Sequence, residues 1–204
     1  MKGPISRAIV PMDMLPSASA LFTVVLLLVA CKKDKTDAPA PISPPNEEEL
    51  ITSLYMHFIP TGGGDTAVLS FVDADGPGGL APVISGDTLQ ANTAYGAYIL
   101  LLNESVSPAD TISNEVAVEA AEHQFFFSTS GGVITFTGYG DVDGNGNPLG
   151  LVSLWQTALT AGPGSITVTL RHEPDKNGAG VASGDITNAG GETDIEVTLP
   201  SVVE

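Results

Sequence analysis

The chain contains one cysteine, Cys31, in 204 residues. No intramolecular disulfide can form, so any folded part is held by packing alone. Basic residues are scarce too. There are 7 Lys+Arg against 24 Asp+Glu, and over 47–204 only Arg171 and Lys176 stand against 21 acids, a formal charge of −19. With so little positive charge to neutralise phosphates, nucleic-acid binding is excluded. The one long apolar run, 21–30, spans about ten residues, too short for a helix crossing a bilayer core of roughly 30 Å. There is no Gly-x-Ser-x-Gly elbow, no phosphate-cradling glycine loop and no His-x-x-x-His pair. The expectation from these absences is a protein that is not an enzyme.

What is present at the N-terminus reads as an address. Lys2 and Arg7 precede the apolar run, and Leu28-Val29-Ala30-Cys31 closes it. This order resembles a lipoprotein signal peptide over 1–30, and the resemblance implies thioether lipidation of Cys31, cleavage before it and N-acylation. Two or more acyl chains anchor a protein stably, whereas one is marginal. Lys32 rather than Asp at the next position implies the outer membrane, with the domain facing the periplasm or the cell surface. Met12 and Met14 serve equally well as start sites. Residues 31–46, with Ala-Pro-Ala-Pro-Ile-Ser-Pro-Pro over 38–45, form a tether that reaches roughly 45 Å if extended.

Residues 47–204 are dominated by period-2 segments bounded by Gly, Pro, Asn and Asp, the pattern of an all-β domain. The inward sets are Leu50, Thr52, Leu54, Met56 and Phe58, then Ala67, Leu69 and Phe71; an apolar run from Tyr98 to Leu102 follows, and His123, Phe125 and Phe127 share one parity. Ile134 and Phe136 follow the Gly131-Gly132 turn. Leu151, Ser153, Trp155, Thr157 and Leu159 come next, then Ile166, Val168, Leu170 and His172, and finally Ile195, Val197 and Leu199. A helix is predicted over 107–122, with Ser107 or Asp110 as its cap and Ile112, Val116 and Ala120 on its buried face. Seven or eight strands and one short helix predict a single β-sandwich, with immunoglobulin-like topology as the expected arrangement. His57 falls on the outward parity and is expected to be solvated.

Three segments carry chemistry. Asp141-Val-Asp143-Gly-Asn145-Gly-Asn147 places oxygen ligands at alternate positions, like the first half of an EF-hand-type calcium loop. Position twelve is Val152 rather than the bidentate Glu, and Asp-Gly and Asn-Gly are equally the residues of a plain hairpin turn. Asp73-Ala-Asp75-Gly is a weaker version of the same pattern. The second segment pairs Glu122-His123 with His172-Glu173, both at strand ends. If those strands are neighbours, His123, His172, Glu122 and Glu173 converge as ligands for zinc or copper, which prefer imidazole. The bland alternative is a buried histidine bonded to backbone. The third is the connection 173–191, too long for an idle loop in a compact domain. It is expected to pack over a sheet edge and to offer a binding surface.

Several stretches together resemble a family of small, uncharacterised lipoproteins of the Bacteroidota. They are Asn46-Glu-Glu-Glu-Leu-Ile51, Glu122-His-Gln-Phe-Phe126, Asp141-Val-Asp-Gly-Asn-Gly-Asn-Pro-Leu-Gly-Leu151, Leu170-Arg-His-Glu-Pro-Asp-Lys176 and Gly184-Asp-Ile-Thr-Asn-Ala-Gly-Gly-Glu-Thr-Asp-Ile-Glu-Val197. Some members bear the label type 1 periplasmic binding fold, but two α/β lobes require more helix and more chain than this sequence offers. The resemblance implies an anchored protein and assigns no role to a residue. The leading expectation is a non-enzymatic binding or accessory module for a surface or receptor complex. Alternatives are a periplasmic metal-binding protein and a purely structural interaction module.

Overall fold

The computed structural model describes residues 50–76 and 78–204, which fall within one compact unit. The segments expected to be signal peptide and tether, and Cys31 with them, lie outside the described residues. Two antiparallel-dominated sheets make an all-β sandwich. The six-stranded sheet has the order β3-β2-β1-β5-β8-β7 and the four-stranded sheet the order β4-β10-β9-β6. In chain order the strands are β1 (Ser53–Pro60), β2 (Ala67–Val72), β3 (Val83–Gly86), β4 (Thr88–Leu89), β5 (Ala94–Leu102), β6 (His123–Ser130), β7 (Ile134–Tyr139), β8 (Val152–Thr157), β9 (Gly162–His172) and β10 (Glu192–Val203).

Seven of these ten coincide with the alternating segments, and β5 contains the apolar run from Tyr98 to Leu102. The two additions are β3, whose four residues are all exposed, and the two-residue β4, which pairs parallel to the end of β10. Both are too short to show a period.

The alternation fills the space between the sheets. Leu54, Met56 and Phe58 of β1 are fully buried, as are Phe125 of β6, Ile166, Val168 and Leu170 of β9, and Leu199 of β10. Trp155 is 1 % exposed and touches aromatic rings from both sheets: Phe58 at 5.7 Å, Phe127 at 5.3 Å and Phe136 at 5.4 Å between centroids. Its indole N–H is satisfied by Ser153 Oγ at 2.9 Å. One apolar cluster therefore joins the two sheets.

The helix is shorter than 107–122. The helix α1 covers Ile112–Val118, with Ile112 and Val116 buried and no side-chain cap at Thr111. Neither Ser107 nor Asp110 caps it, because Asp110 is held in extended backbone by reciprocal N–H···O bonds of 3.0 and 3.1 Å with Asn103. Beyond Glu119 the chain must turn to enter β6, which ends the helix before Ala120.

The long connection is ordered, as expected. Two 3₁₀ turns, Val181–Ser183 and Ile186–Asn188, fold it onto edge strand β6. Val181 and Ala189 bury fully against Phe126, with Ile186 beside them. The buried Gln124 amide donates to the Val181 carbonyl at 2.9 Å.

Candidate functional site

Register builds the site. Strands β6 and β9 pair antiparallel with His123 opposite His172, so the two imidazoles meet at the end of the sandwich. Their ring centroids are 4.6 Å apart and the planes are near perpendicular, at 84°. His123 is 1 % and His172 6 % exposed. A third group arrives from β10, where the pairing with β9 slips between Thr193 and Ile195. This bulge gives the strand an extra residue, Asp194, whose carboxylate enters the interior. Its Oδ2 lies 3.7 Å from His123 Nε2, with only 3 % of the side chain exposed. Ligand atoms of His123, His172 and Asp194 all lie within 4.8 Å of one another.

The His123 ring is oriented by its other nitrogen, Nδ1, which contacts the Glu119 carbonyl at 3.2 Å. Burial lowers the His123 pKa; the Glu119 carbonyl and Asp194 oppose that shift, and His172 adds to it. The imidazole is therefore biased to its neutral form.

The four residues expected as transition-metal ligands thus divide into two groups. His123 and His172 are together, but with Asp194. Glu122 and Glu173 are exposed and form a separate group with His172, again within 4.8 Å. The backbone links them as well, Glu173 N–H donating to Glu122 O at 2.6 Å. Asp194 is invisible to the strand pattern. Its parity with Glu192 and Glu196 places it outside, and only the bulge reverses it.

The loop expected to hold calcium is braced by bonds of its own. Asp141 accepts from the Gly150 amide at 2.7 Å and the Val152 amide at 3.0 Å. Asp143 Oδ1 accepts from the Asn145 and Asn147 amides, and its Oδ2 from Lys176 Nζ at 3.0 Å. All four carboxylate oxygens are thereby engaged within the protein, and Asn145 and Asn147 contribute backbone amides rather than side-chain oxygens to Asp143. The cation in this loop is the Lys176 ammonium, which also donates to Ala120 O at 2.6 Å and Pro148 O at 3.0 Å. One of the two basic residues of a highly acidic domain is thus buried as an internal clip. Burial alone would raise the Asp143 carboxyl, but the ammonium and the two amides outweigh it and hold the group below its ordinary value. Asp141, lacking a cation of its own, is raised by burial, against the opposing amides of Gly150 and Val152.

Two surfaces complete the inventory. A groove of ≈ 360 Å³ runs between the long connection and the outer face of the four-stranded sheet, with Phe126, Ser128, Thr167, Gly184, Asp185 and Glu196 among its lining residues. The outer face of the six-stranded sheet is different. Register places Tyr55, His57 and Ile59 of β1, Val68 and Val72 of β2, Tyr98 and Leu100 of β5 and Val152 and Leu154 of β8 on it, with Ser70, Ser85 and Gln156 between them. None of these side chains is acidic. His57 points outward, as its parity implies, but it is half-buried rather than solvated. It stacks on Tyr98 at 4.4 Å and 5°, and burial lowers its pKa.

No family model, no curated protein and no solved structure matches this chain. Among the described residues no helix is long and apolar enough to cross a membrane.

Proposed function

We propose that this chain is a non-enzymatic lipoprotein, anchored to the outer membrane through Cys31, whose β-sandwich docks a partner protein in a surface or receptor complex. The observation that carries the reading is the outer face of the six-stranded sheet. In a domain of formal charge −19, none of the strand positions named on that face is acidic; Glu104 reaches only its end, at Ser53, and the face presents Ile59 at 46 %, Leu154 at 43 %, Tyr98 at 41 % and Val152 at 40 % exposure. Contiguous exposed apolar surface of this kind marks interaction sites, and interface cores are depleted in charge and enriched in tyrosine. Acids elsewhere keep the tethered domain soluble and leave this face as the surface on which docking costs least desolvation.

The test places a charge in the middle of the face. Leu154→Glu and Tyr98→Glu should each abolish co-purification of the partner with the lipidated chain from crosslinked outer membranes, because an unpaired carboxylate would be buried. Thr167→Glu, in the groove of the other sheet, should leave co-purification intact. Equal recovery with all three variants would refute the assignment of this face. A shift to dimer in sedimentation of the native chain, lost in Leu154→Glu, would identify the partner as a second copy.

A further inference from the structure

The geometry points to a divalent transition-metal site of the zinc class, formed by His123, His172 and Asp194 where β6, β9 and β10 end together. His123 fixes the argument. With Nδ1–H donating to the Glu119 carbonyl, Nε2 carries a lone pair, and this buried atom has no hydrogen-bond partner. It faces Asp194 Oδ2 across 3.7 Å. Two acceptors directed at each other in the interior repel unless a cation lies between them, and 3.7 Å exceeds the reach of an N–H···O bond. The same separation is close to what a shared ion requires. Two ligands about 2.0–2.1 Å from a tetrahedral zinc are about 3.4 Å apart.

The remaining features agree. A carbonyl held on Nδ1 is the usual outer partner of a metal-bound imidazole, setting the tautomer and the ring plane. Two imidazoles and one carboxylate suit zinc, copper or iron(II) rather than calcium or magnesium, which take oxygen sets. The three ligand atoms span 4.8 Å at most, so changes of about 1 Å at the side chains would close a first shell with one position open. His172 belongs also to the exposed group with Glu122 and Glu173, which supplies an entry for a cation from solvent. Asp194 is the one carboxylate among the three ligands, so it only partly neutralises a divalent ion, and the acidic domain around the site favours its capture.

The experiment uses the full chain carrying Cys31→Ser, which removes the competing thiol, stripped with a chelator and titrated with zinc alone. One equivalent should bind, and the thermal midpoint should rise by about 5–10 °C at free zinc a hundred times Kd. Asp194→Asn, which keeps shape and removes charge, and His172→Gln should each weaken binding at least tenfold, while Glu122→Gln with Glu173→Gln should change it less than threefold. Nitrogen-15 spectra of the native chain provide a readout independent of the variants' folding: zinc should move His123 Nε2 and leave Nδ1 protonated. Loss of binding in the double glutamate variant alone would move the site to the exposed group and overturn the assignment. So would a His123 ring protonated on both nitrogens and insensitive to zinc, which would mean that a proton alone bridges it to Asp194.

Discussion

At the residue scale the most consequential side chain is one the sequence presents as ordinary. Lys176 is one of two basic residues in 47–204, yet it is 5 % exposed and bonded to Asp143, Ala120 and Pro148. Removing one member of a buried pair leaves the other charge unsolvated, so Lys176→Met should lower unfolding stability by about 3–5 kcal/mol in urea titrations. Because Asp143 is held below its ordinary 3.8, its contribution is present above that pH and lost as pH falls through the depressed folded value. The stability gap between the native chain and Asp143→Asn should therefore be widest near neutrality and close in acid. Tyr139 behaves in the opposite sense. Burial pushes its hydroxyl to about 12, against the opposing bond from Gln124, and the group donates to Phe125 O at 2.8 Å. Its stabilisation is complete below the unfolded value of 10.0 and is lost as pH rises through about 12. Tyr139→Phe should cost about 1–3 kcal/mol, because the Phe125 carbonyl loses its buried donor.

At the scale of elements, the β9–β10 pair and its connection hold the candidate metal site together. Gly191 has φ +70°, and a Cβ there would stand 2.2 Å from the His172 carbonyl oxygen. Gly191→Ala must displace the start of β10, with the bulge that carries Asp194, and should destabilise the chain by about 2 kcal/mol or more by thermal melt. The connection itself was foreseeable. Its length and its mixture of Gly and Asn with Val181 predict a packed loop, and Val181 is the residue that buries. The helix was less legible. Spacing marks Ile112 and Val116 correctly, but the start depends on the pairing of Asn103 with Asp110, a contact that no local pattern encodes.

At the scale of the whole molecule, one apolar cluster spans both sheets and Trp155 sits within it, in contact with rings from each. Unfolding should be a single cooperative transition, with Trp155 fluorescence and far-ultraviolet circular dichroism giving the same midpoint. Separate midpoints would show that the sheets unfold independently. Reductant should leave that midpoint unchanged, since a lone cysteine closes no loop.

The sequence by itself determined the class of architecture and its eight long strands, because alternation at period 2, and in β5 an apolar run, are local properties that the strands cannot hide. It also determined that His123 and His172 share the inward parity of their strands. Only the tertiary structure decided that those strands are neighbours in matching register, which brings the imidazoles to 4.6 Å. The loop at Asp141 was legible only in part for a related reason: its oxygen spacing is local, whereas the ammonium that Asp143 accepts from, Lys176, lies 33 residues away. Asp194 shows the limit most plainly. A strand pattern assigns sides by counting, and a one-residue bulge set by pairing with β9 reverses the count, turning an apparent surface acid into the partner of a buried histidine.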